Sequence, residues 1–215
     1  MTERSKFLDK INRLRKIILD GVSYFIVWEQ LDNEFGKYLD SKSEKYLDYF
    51  APKGTNDFWW RYQGFLSPAR NALLWSAILQ LSKAYDTDSR TVSLINLIAA
   101  ARNNPSELAP YATQDSLELI QGRIATNSEV LSKLRSYRNT RLAHYDSTET
   151  ETVRIYIHQI SSLVNETKEI FNLLLYANQE QSDDFDIMME DVMLHTSDVI
   201  KHLKKAEEQE RQSGS

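Results

Sequence analysis

The sequence contains no cysteine, and this absence excludes several kinds of chemistry. Without a thiol the chain can form no disulfide bond, no thiolate metal site and no cysteine nucleophile. The absence fits a reducing compartment, and we therefore expect a cytoplasmic protein.

Glycine and proline are also scarce, with six and four among 215 residues, which favours long elements over many turns. No run of eighteen or more apolar residues occurs, so we expect no membrane span. The first twenty residues, MTERSKFLDKINRLRKIILD, are charged and periodic and lack the apolar centre of a secretory signal.

Apolar residues recur at three- and four-residue steps along nearly every long segment, which is the spacing of amphipathic helices. This spacing predicts helices over about 5–35, 57–86, 88–104, 116–144, 148–180 and 182–208. Pro68 either kinks the second helix or begins a separate one, and Asn127 with Ser128 either lies within the fourth or caps a shorter helix. We expect an all-α fold, an antiparallel helical bundle of about five to seven helices. Residues 1–178 would form the bundle, and 179–215 a C-terminal helix packing on it and a polar tail.

Several familiar enzyme motifs are missing, because the chain has no H-E-x-x-H, P-loop, G-x-G-x-x-G or G-x-S-x-G pattern. The aromatic stretch FWWRYQGF is interpreted as packing, in the core or at an interface. The acidic run SDDFDIMMED is typical of a helix N-terminus rather than a metal site. The histidines at 158, 195 and 202 lack partners at ligand spacing. We therefore predict no metal and no cofactor.

The stretch RSYRNTRLAHYD, residues 135–146, concentrates positive charge that two hypotheses explain. Cations near a helix C-terminus stabilise it by about 0.3–1 kcal/mol while facing solvent. Alternatively, arginine can hold phosphate oxygens, histidine can move protons near neutral pH and asparagine can orient a neighbouring group. The candidate catalytic residues are Arg138, Asn139 and His144, and the candidate substrate-binding residues are Lys133, Arg135 and Arg141.

Helix geometry sets a condition on this candidate site. The six residues from Arg138 to His144 turn an ideal helix by about 600°, or about 240° net, so the two side chains would not share a face. They converge only if the helix ends or bends near Leu142, or if a second subunit completes the site.

The motif RNTRLAH resembles the signature of the HEPN superfamily of small helical bundles: an arginine, a polar residue, a spacer and a histidine. With LSKAYDTDSRTVSLINLI before it, the sequence is similar to the abortive-infection AbiU-like branch over roughly residues 5–178. The resemblance implies a bundle that dimerises, bringing two motifs together. In many such proteins this makes a metal-independent endoribonuclease. It further implies that Arg138 holds the phosphate, His144 acts as acid or base and Asn139 positions groups.

The leading prediction is therefore a homodimeric, metal-independent endoribonuclease or toxin-like effector of a prokaryotic abortive-infection or toxin–antitoxin system, acting on RNA. The alternative is a non-catalytic helical module of the same fold that binds RNA, nucleotide or a partner protein such as an antitoxin. The net charge of −5 requires that any RNA site be a local basic patch. The first twenty residues have six cations against three carboxylates, an excess of three positive charges. They support RNA binding if they lie beside Arg138 and His144 in a dimer, and a structural role if they are scattered.

Overall fold

The structure is a computed structural model that describes residues 2–35, 57–139 and 155–213. Within these ranges the chain forms eight helices and no β-strand, which confirms the predicted all-α class. They are α1 (Glu3–Phe35), α2 (Asp57–Ala84), α3 (Leu94–Asn103), α4 (Pro105–Leu108), α5 (Gln114–Thr126), α6 (Ser128–Tyr137), α7 (Ile157–Gln179) and α8 (Phe185–Ser213).

The chain divides into two compact units, each made from discontinuous segments. The first unit comprises Met1–Gly21 and Ile78–Asp183, and the second comprises Val22–Ala77 and Asp184–Ser215. Residues 1–178, predicted as one domain, therefore contribute to both units. The separate C-terminal domain over 179–215 stays a prediction.

The first unit is organised around α7, whose inward face is apolar along most of its length. α5 packs against α7, and α3 packs against both. The Tyr111 N–H donates to the carbonyl of Ala177 at 3.0 Å, and Arg123 lies 3.3 Å from Glu166. α5 and α7 therefore run antiparallel. Buried side chains from six helices form the core of this unit. They include Phe7, Ile11, Leu14, Ile18, Ile78, Leu81, Leu94, Leu97, Leu117, Ile120, Leu131, Leu134, Ile160, Leu163, Ile170, Phe171 and Leu174.

The second unit contains a smaller core and a buried ion pair. The rings of Phe25 and Trp28 are buried with centroids 5.4 Å apart, and Leu66 and Ile200 form a buried cluster. An Arg70 guanidinium nitrogen lies 2.7 Å from an Asp32 carboxylate oxygen, with both side chains at least 96% buried. The loss of one partner would leave a buried charge, so this pair ties α1 to α2 within the unit.

Two helices begin later in the chain than predicted. The helix predicted from about residue 88 begins at Leu94, with Ser93 as its cap accepting from Asn96 N–H. The Asp88 carboxylate is instead engaged by Arg90. α7 begins at Ile157, after extended Tyr156, rather than near residue 148. Residues 140–154 lie outside the described ranges.

Two of the alternatives left open by the sequence are resolved. Pro68 lies inside α2 and does not begin a new helix. The long helix predicted over 116–144 is divided at Asn127, where the side chain donates to the carbonyl of Arg123 at 2.9 Å. A four-residue helix, α4, also forms where a polar loop was expected, with Pro105 in its first turn.

Candidate functional site

The basic motif begins where the regular part of α6 ends. Leu131, Leu134 and Tyr137 are buried at three-residue steps, and this apolar face holds α6 against the first unit. Beyond Tyr137, Arg138 and Asn139 are π-helical. Such turns widen the helix and are frequent at functional sites. The straight-helix geometry that was assumed for the motif therefore does not hold at Arg138 and Asn139, and His144 lies outside the described ranges.

Neighbouring groups hold the Arg138 guanidinium at two of its nitrogens. Its Nε donates to Oδ1 of Asn139 at 3.2 Å, and an Nη lies 3.9 Å from a carboxylate oxygen of Asp86. The two side chains of the ion pair are 31% and 26% exposed, so solvent reaches the pair. Asn139 thus orients Arg138, and the remaining guanidinium nitrogen has no hydrogen bond to the described part of the chain.

Asp86 is a site residue that the sequence reasoning did not single out. It follows the end of α2, and one carboxylate oxygen accepts from the Asp88 N–H at 3.0 Å. This turn fixes the carboxylate and leaves its other oxygen toward Arg138. The Asp-x-Asp spacing directly after a helix was the available signal, since short acidic side chains fix such turns.

The other candidate cations differ in their surroundings. Lys133 forms an ion pair with Glu129 one turn earlier, with Nζ and the carboxylate oxygen 2.6 Å apart. The hydrogen bond from Lys133 holds the pKa of Glu129 below its usual value. Arg135 is exposed and forms no ion pair with the described residues. Arg141 and His144 lie outside the described ranges, so their predicted roles stay predictions.

A narrow cleft separates the end of α2 from α6 in the first unit. Its volume is about 10 Å³, which is room for one water-sized group. Tyr85, at its edge, is buried, and its hydroxyl lies 3.0 Å from that of Thr167 on α7. Burial raises the pKa of the Tyr85 phenol far above its ordinary value. Its described lining residues are Ser82, Tyr85, Asp86, Leu131, Leu134, Arg135 and Arg138.

The sequence that includes this motif matches a known family. A family model described as AbiU2, of the HEPN group, matches residues 61–198. The chain belongs to the AbiU2 family of HEPN domains. The match spans α3 to α7 and the motif itself, so the resemblance inferred from RNTRLAH is confirmed. No curated protein and no solved structure matches the chain.

Membership in the AbiU2 family identifies a HEPN-type module of the abortive-infection class. In the described part of this HEPN chain, no group of histidine and carboxylate side chains is arranged to hold a metal ion. The three histidines within the described ranges, at 158, 195 and 202, are exposed. Likewise, no helix in these ranges has the length and apolar character needed to cross a membrane.

Proposed function

We propose that this protein is a metal-independent endoribonuclease, a toxin-like effector of an abortive-infection or toxin–antitoxin system. The observation that carries the proposal is the oriented guanidinium of Arg138 at the π-helical end of α6. Asn139 and Asp86 restrict its orientation, and one nitrogen stays available to an incoming oxygen. A fixed arginine fork suits a phosphate oxygen better than a mobile lysine does.

The proposed reaction uses the RNA itself as nucleophile. His144 removes the proton of a 2′-hydroxyl, and the 2′-oxygen attacks the adjacent phosphorus. The bond between phosphorus and the 5′-oxygen breaks, and the leaving oxygen takes up a proton. Arg138 stabilises the negative charge that develops on the phosphate oxygens. Asn139 contributes by orienting Arg138.

The proposed site is completed in a homodimer, in which two copies of the motif face one cleft. Apolar side chains exposed on the second unit support an association of two copies. Phe65 on α2 is 72% exposed, and Ile187 and Leu194 on α8 are 61% and 56% exposed. The aromatic stretch was predicted to pack, and the described part of the single chain leaves Phe65 largely exposed.

The first helix supplies the local basic patch that an acidic ribonuclease needs. Two of its six cations are engaged, since Arg4 donates to the carbonyl of Asn178 at 3.2 Å and Arg15 binds Asp183 at 2.5 Å. The other four are exposed and form no ion pair with the described residues. These are Lys6, Lys10, Arg13 and Lys16. They support a path for the RNA backbone, with the positive end of the helix dipole nearby.

A second candidate is a non-catalytic module of the same fold that binds RNA, nucleotide or a partner protein such as an antitoxin. The pairing of Lys133 with Glu129 and of Arg138 with Asp86 favours a protein as its partner, because compensated cations bind phosphate less strongly. The catalytic candidate requires His144 to transfer a proton, and the non-catalytic candidate does not.

An RNA-cleavage assay of the purified protein tests the proposal. We expect Arg138→Ala and His144→Ala each to lower the cleavage rate by about 10²–10⁴-fold, the usual worth of positioned acid–base and charge-stabilising groups. Arg102→Ala, which removes an exposed arginine from α3, is the matched control and should cleave normally. Equal rates in wild type and both site variants would refute the catalytic proposal. RNA binding without cleavage in wild type would favour the second candidate.

A further inference from the structure

Ser82 lies on α2 in the cleft beside Arg138, and its hydroxyl is unsatisfied. The residue is 7% exposed, and its Oγ has no hydrogen-bond partner among the described residues. A buried hydroxyl without a partner costs free energy relative to alanine, and such groups are uncommon in folded proteins. A serine in this position therefore indicates that its hydroxyl binds a group that is not among the described residues.

The surroundings of Ser82 indicate the chemistry of that partner. Two arginines, Arg135 and Arg138, line the same cleft. Of the Asp86 carboxylate oxygens, one accepts from the Asp88 N–H and the other faces Arg138. The cleft thus has a buried hydroxyl and two arginines in its lining, and a group that accepts hydrogen bonds and carries negative charge suits them.

The size of the cleft limits how much of such a ligand enters. A volume of about 10 Å³ admits one oxygen-sized atom and excludes a base, a sugar or a whole phosphate group. The remainder of the ligand must lie outside, toward the exposed Arg135 and Asn139.

We propose that Ser82 is a ligand-binding residue whose hydroxyl donates to one non-bridging oxygen of a phosphate group held by Arg135 and Arg138. This inference rests on the proposed function, in which that phosphate belongs to the RNA backbone. A free nucleotide or inorganic phosphate presents the same oxygen, so the experiment includes both sources.

The test measures binding and stability in the same set of variants. Affinity for a 2′-O-methylated RNA oligonucleotide, which cannot be cleaved, and for inorganic phosphate is measured in wild type, Ser82→Ala and Ser106→Ala. Ser106 is an exposed serine on α4 and serves as the matched control. We expect Ser82→Ala to weaken RNA binding by about tenfold or more, as for a hydrogen bond to a charged group. Its melting temperature without ligand should equal or exceed that of wild type, because the lost hydroxyl had no partner in the chain.

A second variant of Ser82 keeps the outcomes distinct. Ser82→Cys retains a side chain of similar size with a weaker donor, and we expect intermediate affinity. Unchanged RNA and phosphate affinity in Ser82→Ala overturns the proposal, as does a destabilised Ser82→Ala whose Cys counterpart binds like wild type. Failure of wild type to bind either ligand also overturns it. Ser82-dependent binding without RNA cleavage supports this proposal while refuting the catalytic one.

Discussion

The hydroxyl groups of Tyr85 and Thr167 are in contact, and which of them donates the hydrogen bond decides which single substitution costs more stability. Thr167 Oγ1 donates to the carbonyl of Leu163 at 2.6 Å, so its proton is used within α7. The Tyr85 hydroxyl, 3.0 Å from that oxygen, must then be the donor in the pair. Both side chains are at least 97% buried, so water offers neither of them an alternative partner.

The two single substitutions should therefore have unequal costs. Tyr85→Phe removes the donor and leaves Thr167 still bonded to Leu163, so we expect a loss of about 1 kcal/mol. Thr167→Val leaves the Tyr85 hydroxyl buried without an acceptor, at about 2–3 kcal/mol. The double variant no longer has the buried Tyr85 hydroxyl that lacks an acceptor. Its loss of unfolding free energy should therefore be smaller than the sum of the two single-variant losses by about 1–2 kcal/mol.

Urea unfolding followed by circular dichroism measures all four proteins of this cycle. For a chain of this length, each kcal/mol corresponds to a shift in melting temperature of about 2–4 °C. Equal costs for the two single variants, or additive costs in the double variant, would show that the assignment of donor and acceptor is wrong. Tyr85 lies at the edge of the cleft, so the cycle also measures how firmly the end of α2 is attached to α7.

Burial, and to a lesser extent the charge of Asp32, raises the pKa of Glu29 above its ordinary value of 4.5. The folded protein therefore favours protonated Glu29, and the stability that this gives is lost as the pH rises through the folded pKa. Glu29→Gln should thus be more stable than wild type in urea at about pH 7 and equal to it below about pH 4; a difference that persists in acid contradicts this. Ser93→Ala should lose the cap of α3 and about 1 kcal/mol in urea unfolding, and an unchanged midpoint would contradict that role. Asp86→Asn should tighten binding of non-cleavable RNA about threefold in a titration, since a carboxylate roughly 7 Å from a phosphate repels it by about 0.6 kcal/mol in water. Weaker binding would instead mean that Asp86 acts mainly by orienting Arg138.

The helices were predictable because each has an apolar face with a regular period. Leu163, Ile170 and Leu174 identified α7, and all three are buried. Helix starts were less predictable, since several polar residues compete for each cap. Ser93 became the cap of α3 because a nearby turn already engages Asp88. The exposure of Ile187 was not predictable either, because the period alone does not say whether another helix covers it.

The candidate site could be predicted as a sequence motif, but its surroundings could not. The charge pattern and the resemblance predicted Arg138 and Asn139 as site residues. Neither could indicate Ser82 on α2 or Asp86 just after it, which line the cleft with Arg138 and lie more than fifty residues before it in the chain. Such contacts depend on how helices pack, and a local pattern contains no information about that.

The long-range contacts of α1 have a consequence for biosynthesis. Arg4 forms a hydrogen bond with Asn178, and Arg15 with Asp183, across 174 and 168 residues of chain. At about 5–20 residues per second, a ribosome needs roughly 10–35 seconds to make that intervening length. During this time the apolar face of α1, with Phe7, Ile11 and Leu14, awaits its final neighbours. The nascent chain should therefore depend on chaperones more than a bundle built from sequential hairpins, and the first unit cannot form until α7 has left the ribosome.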